Sequence, residues 1–132
     1  VEIMLSVIVL NYNGERFVEG CLSSLARQTI SNFEIIFVDN ASQDRSVALA
    51  EQLQRGLGLR DRMRIVQNST NIGFCRANNE GARYARGKYL LFLNIDTKLE
   101  EECLENLVKR AEAAPGTAVW QGKILNYDGS LR

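Results

Sequence analysis

Short strand-like runs, Leu5 to Leu10, Phe33 to Val38, Arg64 to Val66, Tyr89 to Leu93 and Ala118 to Leu125, alternate along the chain with stretches whose apolar residues recur at helical spacing. Runs that are apolar on both sides of the pleat must be covered on both, and the intervening helices supply the cover. The alternation therefore predicts βα units feeding a mainly parallel, buried sheet. Phe17, Val18, Cys21, Leu22 and Leu25 form the inward stripe of the first helix and leave Arg16, Glu19 and Arg27 to solvent. A second helix is expected from near Ser42, capped by that hydroxyl with Asp44 in its first turn, running through Val47, Ala50 and Leu53 to stop at Gly56 and Gly58. A third covers Ala77 to Arg86 and halts at Gly87. A fourth starts near Glu100 with the acidic Glu100, Glu101 and Glu102, ends on Lys109 and Arg110, and is closed by Pro115 and Gly116.

A chain of 132 residues supports one core and hence one domain. It has no histidine, which excludes a His-held metal, a Ser-His-Asp triad and a Cys-His pair. Chemistry must come from carboxylates, amides, hydroxyls or a metal held by oxygen. Basic and acidic residues number 16 each, so no overall field attracts nucleic acid or an anionic surface, and any anion must be met locally. Nucleic acid is not an expected partner. The three cysteines make an odd count without Cys-x-x-Cys spacing, which suits a reducing compartment and a cytoplasmic location. Cys21 and Cys103 are read as small hydrophobes, and Trp120 as core. No apolar run approaches the ~20 residues of a membrane span, and Met4 to Leu10 lacks the flanks of a signal peptide.

In open α/β sheets, ligands collect where the strands end, so the residues just past each run are the candidates. The first exit is Asn11-Tyr12-Asn13-Gly14, the second Asp39-Asn40-Ala41-Ser42, and the fourth Asn94-Ile95-Asp96-Thr97; the third leads into Asn68, Asn71, Gly73 and Arg76. Each set taken singly also suits turns and helix caps. Together, an aromatic ring, one acid, and a second acid two residues beyond an asparagine could hold a flat base, a ribose and a metal-bound diphosphate.

The strings Ser6 to Gly14 (SVIVLNYNG), Val38 to Asp44 (VDNASQD), Asn71 to Gly81 (NIGFCRANNEG) and Leu93 to Thr97 (LNIDT), in that order, resemble the successive signatures of family 2 glycosyltransferases. They are similar in particular to the bacterial branch containing rhamnosyltransferases of cell-surface polysaccharide assembly. The resemblance implies a GT-A fold, a Rossmann-like α/β sandwich of which this chain is the truncated, nucleotide-sugar-binding part. It implies a UDP- or dTDP-sugar donor, a saccharide or lipid-linked acceptor, and Mg2+ or Mn2+ as cofactor. Nucleotide-binding positions would be Asn11, Tyr12, Asn13, Asp39, Arg76 and Asn94. Tyr12 would pack on the base, Asp39 accept its ring N–H, and Arg76 lie near the diphosphate. Asp96, at the end of the family's Asp-x-Asp motif, would bind the metal. Asn94 replaces that motif's first acid, so the diphosphate itself must complete the coordination.

The implied reaction is an inverting displacement, with a catalytic base expected beyond Arg132 and a whole protein at most peripheral to the cytoplasmic face of the membrane. The Asp128-Gly129 pair predicts a hairpin whose second arm has barely begun at Arg132. A fragment ending there would leave a sheet edge uncovered and favour self-association. A non-catalytic nucleotide- or partner-binding α/β domain is the alternative.

Overall fold

The computed structural model of the chain describes residues 2–130. Its elements alternate as the sequence predicts: β1 (Leu5–Asn11), α1 (Glu15–Ala26), β2 (Phe33–Asp39), α2 (Ser46–Gly56), β3 (Met63–Gln67), α3 (Phe74–Ala82), β4 (Tyr89–Asn94) and α4 (Cys103–Ala113). The four strands form one parallel sheet in the order β3-β2-β1-β4. Every residue of β1 and β2 is buried, which is why both runs are apolar without alternation.

One face of the sheet presents Val7, Val9, Ile35 and Phe37 to Val18, Leu22 and Leu25 of α1, Ala50 of α2 and Leu104 of α4. The opposite face presents Ile8, Leu10, Ile36 and Val38 to Ala77 of α3. Each fully buried Val, Leu, Ile or Phe side chain contributes roughly 1.5–3 kcal/mol, so these two layers supply most of the driving force. Helix α3 lies close enough that a Cβ on Gly81 would stand 2.6 Å from Ile8 Cγ2 and 2.8 Å from Val38 Cγ2. Glycine permits that approach. The cover does not extend to the outer strand: Leu90 and Phe92 of β4 are half exposed.

Chain direction across the sheet reverses once. From β1 the chain steps outward to β2 and then β3, after which β4 returns to the other side of β1. Loops leaving β1 and β4 therefore diverge to opposite sides, and a crevice opens between them at the carboxyl ends of the strands.

Several boundaries differ from the sequence reading. Helix α2 starts at Ser46 rather than near Ser42, because the Ser42 hydroxyl is held by Asp39 while Asp44 Oδ1 accepts the Ser46 N–H at 3.0 Å. Helix α3 begins earlier, at Phe74, and ends at Ala82. Helix α4 begins at Cys103, with Glu100 to Glu102 ahead of it. The run Ala118 to Leu125 does not form a strand; Leu125 alone makes a bridge. A strand needs a ladder, and among the described residues this segment has no partner strand to accept its N–H and C=O groups. Trp120 is accordingly 38% exposed and outside the core. The turn after it does form, closed by Asn126 N–H to Ser130 O at 2.8 Å with Gly129 at φ 89°. The expected second arm, at Leu131 and Arg132, lies outside the described residues. Among the described residues no helix is long and apolar enough to cross a membrane.

Candidate functional site

Strand register fixes which exits are neighbours. Asn11 pairs with Asp39, and Leu10 with Asn94, so β1, β2 and β4 release their loops side by side along one rim. Between the β1 and β4 exits lies a cleft of about 310 Å³. Leu10, Phe17, Phe74 and Ile95 are its apolar members, and Tyr12, Asn13, Asn94 and Asp96 bring ring, amide and carboxylate groups to it. Tyr12 and Phe74 are 49% and 58% exposed, so both rings offer a face to a ligand. The first loop must come very near the fourth strand's exit: a Cβ on Gly14 would lie 2.5 Å from Asn11 Oδ1 and 2.7 Å from Ile95 Cγ2.

Behind the cleft, the β1 and β2 loops are bonded to one another. Asn11 is fully buried, and its Nδ2 donates to Asp39 Oδ1 at 2.8 Å, Ser46 Oγ at 2.8 Å and Ser42 Oγ at 3.2 Å. Asp39, 3% exposed, also accepts from the Ser42 hydroxyl at 2.6 Å and the Ser42 N–H at 3.0 Å. The Asn13 N–H donates to Ser42 Oγ, the Gln43 N–H to Asn13 Oδ1 and the Glu15 N–H to Asp44 Oδ2, at 2.8, 2.8 and 3.0 Å. Burial works against ionisation of Asp44, but hydrogen bonds from Ser46 and the Glu15 N–H outweigh it and hold its carboxyl below the usual range.

This lattice supports two residues in the left-handed region, Asn13 at φ 49° and Ala41 at φ 65°. The conformation is unfavourable for alanine in particular, and it persists because the surrounding bonds over-determine it. One atom is left over. Asn11 Oδ1 is buried without a hydrogen-bond partner among the described residues.

The third exit is tied in the same manner. Asn40 accepts the Ile72 N–H at 2.9 Å and donates to Asn71 Oδ1 at 2.8 Å, while Asn71 also accepts the Gly73 N–H at 2.9 Å.

The fourth exit is different. Thr97 folds back through its hydroxyl and N–H onto Asn94 O, at 2.7 and 3.2 Å, making a tight turn that buries Ile95 and turns Asn94 and Asp96 outward. Among the described residues no donor binds the Asp96 carboxylate in a hydrogen bond. Its charge is felt by Cys21, whose thiol is pushed up to about 12, chiefly by burial and secondarily by Asp96, so that thiol is inert near neutral pH. Among the described residues no three acidic or cysteine side chains cluster as a ready-made metal site. One exposed carboxylate beside an amide fits a hard divalent cation only if a ligand's own oxygens complete the shell.

The structure thus brings four sequence-predicted residues, Tyr12, Asn13, Asn94 and Asp96, to one cleft. Asn11 and Asp39 lie under the same rim, where they fix the loops rather than line the cleft. Arg76 is exposed on the first turn of α3 and does not line it. Phe17 and Phe74 were not anticipated there. Phe74 had a signal, an aromatic directly after Gly73 at a helix start, whereas Phe17 was indistinguishable from an ordinary core residue of α1.

The profile of glycosyl transferase family 2 matches residues 6–131. The chain is 38% identical over 110 residues to the uncharacterized glycosyltransferase EpsJ of Bacillus subtilis, a match covering 83% of this chain and 30% of that protein. An uncharacterized glycosyltransferase of Haemophilus influenzae is 38% identical over 112 residues, covering 85% and 36%. Among solved structures, S. aureus TarS 1-349 in complex with UDP-GlcNAc is similar with a TM-score of 0.77 at 26% identity, over 91% of this chain and 38% of that one. The chain spans about a third of the length of these two curated relatives.

Proposed function

Because the chain belongs to glycosyl transferase family 2 and has the GT-A fold, we propose that it forms the donor-binding part of an enzyme that transfers sugar from a UDP- or dTDP-sugar to a saccharide or lipid-linked acceptor. The observation that carries this reading is the convergence of Tyr12 and Asp96 on one cleft at the strand-order reversal. The UDP-GlcNAc complex of TarS supports a uridine donor.

In this reading the Tyr12 ring packs against the base. Asp39 Oδ2 accepts one protein hydrogen bond, which leaves it a lone pair for a base ring N–H. Asn13 and Asn94 offer amide hydrogen bonds to the ribose, and Arg76 supplies a guanidinium near the diphosphate. Asn11 holds Asp39 and the β2 loop in place. Mg2+ or Mn2+, held by Asp96 and by the diphosphate, would neutralise charge on the leaving nucleotide.

Inverting transfer requires the acceptor hydroxyl to attack the anomeric carbon from the face opposite the departing diphosphate, while a carboxylate takes its proton. Asp96 is the one carboxylate among the described residues lining the cleft, and in this reading it is committed to the cation. The base must therefore come from elsewhere in the whole protein. Its place in cell-surface polysaccharide synthesis and in the rhamnosyltransferase branch rests on the motif strings, and a cytoplasmic site of action on the cysteine pattern.

Calorimetric titration of the folded chain with UDP and with dTDP, each with Mg2+, with Mn2+ or with chelator, tests the reading. Metal-enhanced binding that Asp96→Ala abolishes is expected. Absence of heat in every arm would refute it.

A further inference from the structure

At the opposite end of the sheet, where β2 and β3 begin, a second cavity of about 280 Å³ is bordered by four arginines, Arg60, Arg62, Arg64 and Arg86, and two carboxylates, Glu34 and Asp61. In a chain with no net charge this is a local excess of two positive charges. The buried carboxylate does not reduce the demand of the other arginines. Glu34 Oε1 accepts the Ser6 hydroxyl at 2.7 Å and the Arg86 N–H at 2.6 Å, and Oε2 accepts the Arg86 guanidinium through Nε at 3.0 Å and Nη2 at 2.9 Å. Both oxygens are saturated by Ser6 and Arg86.

Two of the remaining guanidinium groups are held by rings rather than by acids. Arg62 lies 4.8 Å above the Phe33 ring centroid, and Arg64 lies 4.9 Å above that of Tyr84. A ring attracts a guanidinium charge without accepting its N–H groups as a carboxylate would, so the donors are not used up by an acid. Among the described residues, Arg60, Arg62 and Arg64 form no salt bridge; those formed involve Arg45, Arg83, Arg86, Lys88 and Lys109. The charge of Arg64 on edge strand β3 also discourages edge-to-edge pairing, but that purpose requires neither a cavity nor further arginines around it.

We propose that this basin is a phosphate-binding site, separate from the donor cleft, in which the ring-held Arg62 and Arg64 supply the N–H donors and Arg60 and Arg86 add positive charge at its border. The ligand class is a phosphate ester or diphosphate: several acceptor oxygens on one compact anion match several guanidinium groups bordering one cavity, and the volume suits a headgroup rather than a polymer. The phosphate is either free in solution or carried on a lipid headgroup at a surface.

The 132-residue chain would be titrated with inorganic pyrophosphate in the presence of chelator, which silences any cation-dependent binding in the donor cleft. In parallel it would be sedimented with phosphatidylcholine vesicles with and without phosphatidic acid. Binding in either arm is expected to weaken with salt. It should fall about tenfold or more in the double variant Arg62→Gln and Arg64→Gln, given the strength of charged hydrogen bonds. Arg60→Gln, at an exposed side chain, should weaken it in the same direction with an unchanged melting temperature, and Tyr12→Ala should leave it intact. Pyrophosphate binding alone identifies a soluble ligand, and selective sedimentation with phosphatidic acid a lipid-borne one; both support the site. No binding in either arm, or binding that ignores the arginine substitutions, overturns it.

Discussion

Replacing Asp39 with alanine separates a lock beneath the site from a residue whose only partner is a ligand. The carboxylate accepts three hydrogen bonds, from Asn11 Nδ2 and from the Ser42 hydroxyl and N–H. Bonds to a charged acceptor are worth about 1.5–3 kcal/mol each when nothing replaces them. Here replacement is partial: Asn11 keeps Ser46 and Ser42 as acceptors, and half-buried Ser42 can turn to water. A loss near 1 kcal/mol per bond, about 3 kcal/mol in all, is therefore expected. For a domain of this size that corresponds to a melting temperature roughly 10 °C lower. Thermal unfolding followed by circular dichroism at neutral pH and without ligand measures it, and exchange of the Ser42 amide hydrogen should accelerate in parallel. A melting temperature within about 2 °C of the parent, with Ser42 still protected, would refute the claim that Asp39 ties the two loops together.

Tyr12→Ala removes a half-exposed ring, so stability should change little, whereas uridine nucleotide affinity should fall by about 1–3 kcal/mol, the usual worth of a ring stacked on a base; calorimetry against a melting curve separates the two. Glu34 is pushed upward by burial but held below its ordinary value by the stronger combined pull of Ser6 and Arg86. A carboxyl lowered on folding stabilises above its unfolded pKa and ceases to do so as pH falls through the folded one. Urea midpoints should therefore decline below pH ~4.5, and less steeply in Glu34→Gln. Leu90 and Phe92 on the open edge strand β4 predict self-association of this chain. Light scattering should show mass rising with concentration and Phe92→Lys restoring the monomer; a constant monomer mass would contradict it.

The strands were legible because full burial leaves an unbroken apolar record, as in Val7 to Leu10 and Ile35 to Val38. The start of α2 was not. A serine before a helical stretch is an ordinary cap signal, and only the folded chain shows that the Ser42 hydroxyl is claimed by Asp39, three residues back, and by Asn13 from another loop. Ala118 to Leu125 failed for a related reason, since apolar pattern records the capacity to pair but not the presence of a neighbour. The polar exits were visible as candidates, and Asp96 and Tyr12 stand in the cleft as a ligand site would require. What local pattern could not convey was the division between groups that face the cleft and groups beneath it. Asn11 bonds to residues 28 to 35 positions away, a separation at which no spacing rule operates. The crevice itself follows from strand order, which alternation alone does not specify.

The tight turn at Asn94 to Thr97 has an evolutionary consequence. Loops after β1 and β2 are cross-braced, so altering one disturbs the other, and sequence drift there should be narrow. The fourth loop closes on itself through Thr97 and Asn94 O and is anchored to β1 by the Ile95 N–H on Leu10 O at 3.1 Å, while displaying two outward side chains over one buried isoleucine. Selection can exchange those two positions with little penalty to folding, which makes this short stretch the adjustable dial of an otherwise rigid scaffold.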